Sequence, residues 1–270
     1  MRRGALLPFR ASALMACLLL ANFTAWAGGD TETFPVERVD EIIVETDGGP
    51  VSLSVTKGPV VSVRASATDA SCKTSRGLGG GKLTLTAHGQ SSRMFTLDKP
   101  CSVGYEVGAP AGVRLTVRSV SGEVSVGPFS GPVDVKTGAG AITLNGPTGF
   151  VTLHSGRGAI GGTTRGPQVS ASTQSGGISL SGLTGQATAR SVSGSISLAW
   201  DALPRRGRIE VYTRGGRQSL TMPDGASLDL SLRSPSGSAS SDFVRNPRSE
   251  LQVQLRSESG IISLKKLRPA

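Results

Sequence analysis

The chain has 270 residues, of which 37 are glycine and only 4% are aromatic, and it carries a formal net charge of +10. Scattered aromatic side chains argue against a nucleic-acid partner, and two histidines with three cysteines argue against a zinc site or a CxxC redox site. The excess of positive charge favours anionic partners, namely envelope glycans or phospholipid headgroups.

Residues 1–27 are predicted to be a secretory signal peptide. Arg2, Arg3 and Arg10 come before an apolar run over 11–23, and Ala25-Trp26-Ala27 is typical of a cleavage site. The alternative is a lipoprotein signal in which Cys17 carries the lipid. No later stretch approaches the ~20 apolar residues of a membrane helix. We therefore expect an exported mature chain without a transmembrane anchor, located in the periplasm, at the cell surface or secreted.

Residues 28–112 are predicted to contain short strands without a strict period. Alternating apolar residues indicate strands at 42–45, 51–55, 60–63, 82–86 and 103–107. The segment 68–81, which contains a glycine run, is expected to be a loop. We interpret 28–112 as part of one solenoid with the chain that follows, and a separate N-terminal β-sandwich is the alternative.

Two cysteines remain in the predicted mature chain, Cys72 and Cys101. Disulfides persist in oxidising compartments, so an exported chain makes this pair a disulfide candidate. The alternative is a pair of free buried thiols.

A nine-residue repeat runs from Gly122 to Leu198. A glycine occupies every ninth position, with one proline at position 167. Two residues after each of these positions a triplet begins, such as Val124-Ser125-Val126, whose first residue is apolar, whose second is polar or glycine, and whose third is apolar or small. Because side chains alternate between the two faces of a strand, this pattern predicts a short half-buried strand after each tight turn.

A second regularity appears only at every second repeat. Positions 119, 137, 155, 173 and 191 are all Ser or Thr, so the structural unit is predicted to be an 18-residue coil of two halves. The stacked hydroxyls are expected to form hydrogen bonds along the stack or with neighbouring backbone. Residues 113–264 are therefore predicted to form an all-β, right-handed β-solenoid (β-helix) with looser coils at both ends.

Beyond Leu198 the period slips by four residues through 201–206 and resumes at Gly207. A bulge in a regular solenoid is a natural place for a binding loop, and guanidinium groups suit carboxylate and phosphate ligands. We therefore predict an anionic-ligand site in the arginines that gather around the slip, the alternative being a solvated loop. They are Arg205, Arg206, Arg208, Arg214 and Arg217.

Looser coils with further strands are predicted at 228–230, 251–255 and 260–264. The basic tail at 265–270 is polar enough to cap or leave the end of the stack, as solenoids require at their ends.

No catalytic, cofactor or metal site is predicted. Glycoside hydrolysis needs two positioned carboxylates, and the only acids between 113 and 198, Glu123 and Asp134, stand at different offsets of successive half-coils. His154 shares an outward column with Arg118, Lys136 and Arg190, and we interpret it as an exposed polar residue. We expect a non-enzymatic protein without cofactors, and a polysaccharide-degrading β-helix enzyme is the alternative.

The segment YEVGAPAGVRLTV at 105–117, followed by SGEVSV at 121–126, resembles the bacterial "putative adhesin" family, a domain of unknown function with β-helical repeats. The segments VDEIIV at 39–44 and GPVSL at 49–53 are similar to the start of that family. The resemblance implies a β-helical fold over almost the whole mature chain and carries over no catalytic residue. We expect a structural or binding protein of the envelope that engages anionic polymers or another envelope protein. A modulator of envelope-stress signalling is the alternative.

Overall fold

The structure of the protein, a computed structural model, describes residues 31–67, 72–89 and 101–267. The predicted signal peptide, including Cys17, lies outside the described residues, as does the end of the tail at 268–270. The described chain is all-β apart from one 3-10 helix, Val36–Arg38, which confirms the predicted fold class. No helix in that part of the chain is long and apolar enough to cross a membrane.

Among the described residues, seven strands precede the repeat. They are β1 (Thr31–Pro35), β2 (Glu41–Thr46), β3 (Val51–Val55), β4 (Val60–Ala67), β5 (Cys72–Gly79), β6 (Lys82–Gly89) and β7 (Val103–Ala109). All five strands predicted in this region are confirmed, as β2, β3, β4, β6 and β7.

The predicted loop over 68–81 is wrong for residues 72–79, which form β5. This strand pairs antiparallel with β6 across a turn at Gly80 and Gly81, which both have positive φ. The segment CKTSRGLG has no apolar alternation, so its extended conformation comes from its partner strand and not from a pattern of its own.

Ten strands form the regular part of the stack. They are β8 (Arg114–Ser119), β9 (Val124–Val126), β10 (Val133–Thr137), β11 (Ile142–Asn145), β12 (Val151–Ser155), β13 (Ile160–Thr163), β14 (Gln168–Thr173), β15 (Ile178–Leu183), β16 (Gln186–Ser191) and β17 (Ile196–Trp200). Their register confirms the 18-residue coil, since Val133 pairs with Val151 in one sheet and Ile142 with Ile160 in the other.

Six strands follow the repeat. They are β18 (Gly207–Thr213), β19 (Gln218–Met222), β20 (Asp229–Arg233), β21 (Ser238–Ser241), β22 (Leu251–Ser257) and β23 (Ile261–Lys266). The slip of four residues is confirmed, because Ala187 pairs with Ile209 and Ile196 with Gln218.

The strands form two sheets that enclose a thin apolar core. Sheet A has the order β1-β4-β7-β3-β9-β11-β13-β15-β17-β19-β23-β21, and sheet B has the order β20-β22-β18-β16-β14-β12-β10-β8-β2-β6-β5. With about 4.8 Å between neighbouring strands, the stack is about 50 Å long. The apolar first position of each triplet points between the sheets, as Ile142 and Ile178 do. The middle position, such as Thr143 or Ser179, faces outward.

The hydroxyl column predicted from the 18-residue period forms a buried ladder. The Ser155 hydroxyl accepts a hydrogen bond from the Gly158 N–H (2.8 Å) and donates to the Gly140 carbonyl of the preceding coil (3.1 Å). Ser191 does the same with Gly194 and Gly176. Each hydroxyl therefore satisfies a turn N–H and ties one coil to the next, as expected from the sequence.

The coils at the two ends do not stack in chain order. At one end β22 and β23 pair directly with β18 and β19, and the earlier strands β20 and β21 lie outside them. At the other end β2 and β3 pair directly with β8 and β9, while β6 and β7 lie outside. Strands from 28–112 and from the repeat therefore share the same two sheets; the boundary at residue 112 itself stays a prediction.

The first residues of the predicted tail belong to the last strand, and the role of 265–270 as a whole stays a prediction because 268–270 lie outside the described residues. Lys265 and Lys266 continue β23, and β21 pairs with that strand on its outer side. The outermost coil is instead β20 with β21, whose residues are mostly polar and exposed. A polar final coil limits edge-to-edge association, which is the role expected of the tail.

Candidate functional site

The outer face of sheet B carries a row of mostly basic side chains that follows the axis of the stack. The register places one residue of the row on each of eight neighbouring strands, about 4.8 Å apart. We call this set the basic row. It consists of Arg118, Lys136, His154, Ser172, Arg190, Tyr212, Arg256 and Arg233.

The row follows from the repeat itself. Val135 and Thr137 are buried on either side of Lys136 in β10, so strand alternation turns the lysine side chain outward. The 18-residue period then brings the equivalent side chain of each coil to the same place on the sheet. The repeat in the sequence already indicated Arg118, Lys136, His154 and Arg190 as one outward column, which we interpreted only as exposed polar residues.

Two cations of the basic row lie near carboxylates. Arg118 is 3.9 Å from Glu45 on β2, and Arg190 is 3.6 Å from Glu210. Both arginine side chains are more than 60% exposed (62% and 63%), so these pairs leave most of their charge available to other partners. Within the described chain, three further cations of the row make no ion pair: Lys136, Arg256 and Arg233.

A groove of about 490 Å³ follows one half of the row. Arg118, Lys136 and His154 line it together with His88 and Asp47. These residues belong to, or directly follow, β8, β10, β12, β6 and β2, which are five neighbouring strands of sheet B, so the groove is elongated along the stack. Both histidines of the chain contribute to this one groove.

The carboxylate of Asp47 lies at the end of the groove formed by β2 and β6. Asp47 accepts hydrogen bonds from Nδ1 of His88 (2.9 Å) and from the Gly89 N–H (2.7 Å). Partial burial raises the pKa of Asp47, but these hydrogen bonds and the His88 charge outweigh it, and the resulting pKa lies below the ordinary value. Asp47 therefore stays ionised and closes this end of the groove to anions.

A second groove of about 350 Å³ follows the other half of the row. Arg190, Tyr212 and Arg256 line it, with Glu210 and Gln254 beside them. The Tyr212 hydroxyl donates a hydrogen bond to Glu258 (2.8 Å), and this bond raises the pKa of Tyr212. The hydroxyl is thus fixed while the ring, at 36% exposure of the residue, faces solvent.

The five arginines predicted as one site do not form one cluster. Arg205 and Arg206 are exposed just before β18, whereas Arg214 follows its other end, about 26 Å from Arg206 for a strand of this length. Arg217 lies beyond the next turn, before β19 of the other sheet. The sequence placed them close together, but a seven-residue strand separates the two groups.

Two of these five arginines are also engaged by neighbouring side chains. Arg208 lies 3.1 Å from Glu210 and donates a hydrogen bond to Gln252 (3.1 Å). Arg214 lies 3.5 Å from Glu258. Glu258 is distant in sequence, so only the register of β22 beside β18 places this acid near Arg214.

The two acids considered for hydrolysis lie on different sheets. Asp134 is on β10 of sheet B, and Glu123 immediately precedes β9 of sheet A. The described residues contain no group of three or more His, Cys, Asp or Glu side chains that could hold a metal ion.

A disulfide joins Cys72 to Cys101, whose Cα atoms are 5.2 Å apart. Cys72 begins β5 at the edge of sheet B, and Cys101 is buried just before β7 of sheet A. The bond links the two sheets at the N-terminal end of the stack, where the strict repeat is missing.

Protein isolated from its native compartment should contain this one disulfide. Mass spectrometry of the unreduced mature chain should find a single peptide pair joining Cys72 to Cys101 and no thiol that reacts with an alkylating agent. The same digest after reduction is the control and should release both peptides. Two alkylated cysteines in the unreduced sample would contradict the pairing.

Comparison with known proteins places the fold among solved structures. Residues 39–265 match the family model Toastrack DUF4097. A "putative adhesin" from Bacteroides fragilis NCTC 9343 has a TM-score of 0.52 at 14% identity, over 88% of this chain and 96% of that one. This likeness shows a shared fold.

Two further solved structures, both from Parabacteroides distasonis ATCC 8503, are more distant. A "putative adhesin" has a TM-score of 0.46 at 10% identity, covering 89% of this chain and 98% of that one. A "Putative lipid binding protein" has a TM-score of 0.39 at 14% identity, covering 88% of this chain and 96% of that one. No curated protein matches the chain.

Proposed function

The chain belongs to the Toastrack DUF4097 family, and from this premise we propose that it is an exported, non-enzymatic binding protein of the cell envelope. It holds anionic envelope material against the outer face of sheet B. The observation that carries the proposal is the basic row, in which five permanent cations occupy equivalent positions along a rigid stack: Arg118, Lys136, Arg190, Arg256 and Arg233.

The chemistry of the row suits binding more than catalysis. Its cations are exposed and spread along the axis, so they attract charge over a long surface instead of focusing it on one reacting atom. The acids at the two grooves, Asp47, Glu45 and Glu210, each lie beside a basic partner, and this pairing favours binding over glycan hydrolysis. Export rests on the predicted signal peptide at 1–27.

Removing charges from one surface at a time should show whether the basic row or the predicted arginine loop binds the envelope material. We expect the triple variant Lys136→Ser, Arg190→Ser, Arg256→Ser to bind isolated envelope fractions about tenfold more weakly, at about 0.5 kcal/mol for each lost contact. Binding of the unmodified mature chain should also fall between low and physiological salt, because the contacts are exposed. Retention is measured by sedimentation with the envelope fraction.

The matched control removes the same number of charges elsewhere. The variant Arg205→Ser, Arg206→Ser, Arg217→Ser, whose residues line neither groove, should retain binding close to that of the unmodified chain, and both variants should keep a β-rich circular dichroism spectrum. Weaker binding by the control alone would move the site to the loop. Equal retention by both would contradict a role for either basic surface, and release of sugar fragments during the assay would contradict the non-enzymatic assignment.

A further inference from the structure

The basic row differs in shape from a site for a single small anion. The row places one residue per strand at about 4.8 Å along the axis, and its five permanent cations form two groups, Arg118 with Lys136 at one end and Arg190, Arg256 and Arg233 at the other. Only neighbouring members can contact the same carboxylate or phosphate group. A ligand that engages both groups must itself be extended and must carry several charges along its length. The strand spacing is comparable to the length of one sugar residue in an extended polysaccharide.

The two grooves indicate the direction in which such a ligand lies. The first spans β6, β2, β8, β10 and β12, and the second is lined from β16, β18 and β22. The basic row lines both. A chain lying across the strands, parallel to the axis of the stack, would therefore contact cations of the row in both grooves and would cross Ser172 between them.

The residues around the cations favour a sugar ring over a lipid headgroup. Tyr212 stands between Arg190 and Arg256 in the row, and its ring is exposed while Glu258 holds its hydroxyl. An aromatic ring in this position offers an apolar surface to the carbon face of a sugar, with charge on both sides of it.

A second row of residues runs beside the basic row on sheet B and supplies groups for sugar hydroxyls. It contains the hydroxyl side chains of Thr116, Thr152, Ser170 and Thr188 and the amide of Gln254, with two carboxylates, Asp134 and Glu210, among them. A membrane-binding surface would need large apolar side chains. Among the described residues that line the first groove, Val120 is the only one of this kind.

We propose that the ligand of the basic row is a linear acidic polysaccharide with a carboxylate on successive sugars, lying parallel to the stack axis with about one sugar per strand. This rests on the proposed function and identifies the ligand class for the same surface. Carboxylates of the polymer pair with Lys136, Arg190, Arg256 and Arg233, and the ring of Tyr212 packs against one sugar.

Binding of β-1,4-linked oligo-uronates of increasing length to the disulfide-bonded mature chain tests this geometry. Affinity, measured by isothermal titration calorimetry, should rise with length and level off at about eight sugars, one for each strand of the row. Tyr212→Ala should weaken binding of the octamer about fivefold, whereas Tyr212→Phe should retain it because the ring and not the hydroxyl makes the contact. Affinity that does not change with length would overturn the axial arrangement.

Two other anions distinguish this inference from the proposed function. Inorganic polyphosphate and vesicles of anionic phospholipid carry charge without sugar rings. If either binds as tightly as the uronate octamer and is insensitive to Tyr212→Ala, the polysaccharide assignment fails while anion binding stands. If no anion binds, both proposals fail. A neutral β-1,4-linked oligosaccharide is the control, and equally tight binding of it would contradict the role of the cations.

Discussion

Replacing Ile178 with aspartate should strongly destabilise the stack and lower the urea concentration at which it unfolds. Ile178 is 1% exposed and lies in register between Ile160 and Ile196 on neighbouring strands, so a carboxylate there would be surrounded by apolar side chains without a cation. Burying an unpaired charge costs more than about 4 kcal/mol, a large part of the stability of a single domain. Urea unfolding followed by circular dichroism measures the loss.

The adjacent residue provides the control. Ser179 is exposed and pairs in register with Gly161 and Ser197 on the outer face of sheet A, so Ser179→Asp should change stability by less than about 0.5 kcal/mol. The same contrast should hold two coils earlier, where Ile142→Asp should be strongly destabilising and Thr143→Asp nearly neutral. Equal destabilisation at inward and outward positions would contradict the assignment of the two faces.

Replacing Gly158 with alanine should destabilise the stack although it removes no contact. A Cβ atom at this position would overlap the carbonyl group of Gly140 in the preceding coil, and backbone atoms at that point cannot move unless the two coils separate. Overpacking in a rigid interior typically lowers the free energy of unfolding by about 1–3 kcal/mol. Because the added atom meets backbone and not a flexible side chain, we expect a loss of about 3 kcal/mol or more. The urea midpoint should fall while the slope stays unchanged.

Gly112→Ala is the matched glycine control. An added Cβ there meets no heavy atom within 4 Å, and its φ lies outside the left-handed region. Alanine should be neutral or slightly stabilising at this turn, since it reduces the freedom of the unfolded chain. Similar losses at Gly112 and Gly158 would show that glycine acts through chain flexibility and not through the close approach of coils.

The regular coils were predictable because their information is local. An apolar residue two positions after each glycine, as at Val124 and Ile142, is enough to specify which side of a short strand faces inward. The hydroxyl ladder was predictable for the same reason, since Ser155 bonds the glycine three residues later and the coil immediately before it. Neither prediction needed knowledge of distant segments.

The candidate site was only partly predictable. Its first members, Arg118 and Lys136, follow from the 18-residue period, but Arg256 and Arg233 join the row only because β22 and β20 pair beyond β18. The predicted arginine site failed as a single cluster because proximity in sequence does not measure distance across a strand: Arg206 and Arg214 stand at opposite ends of β18.

The sequence by itself determined the all-β class, the two-strand coil and the direction of side chains along the repeat, because strand alternation and tight turns act over a few residues. Only the tertiary structure decided the order of the end coils, the strand at Cys72–Gly79 and the full length of the basic row. These three features depend on which strand pairs with which. Backbone hydrogen bonds can form between any two strand edges, so they do not by themselves select the partner. Contacts between residues far apart in the chain make that choice, and no short-range pattern in the sequence encodes it.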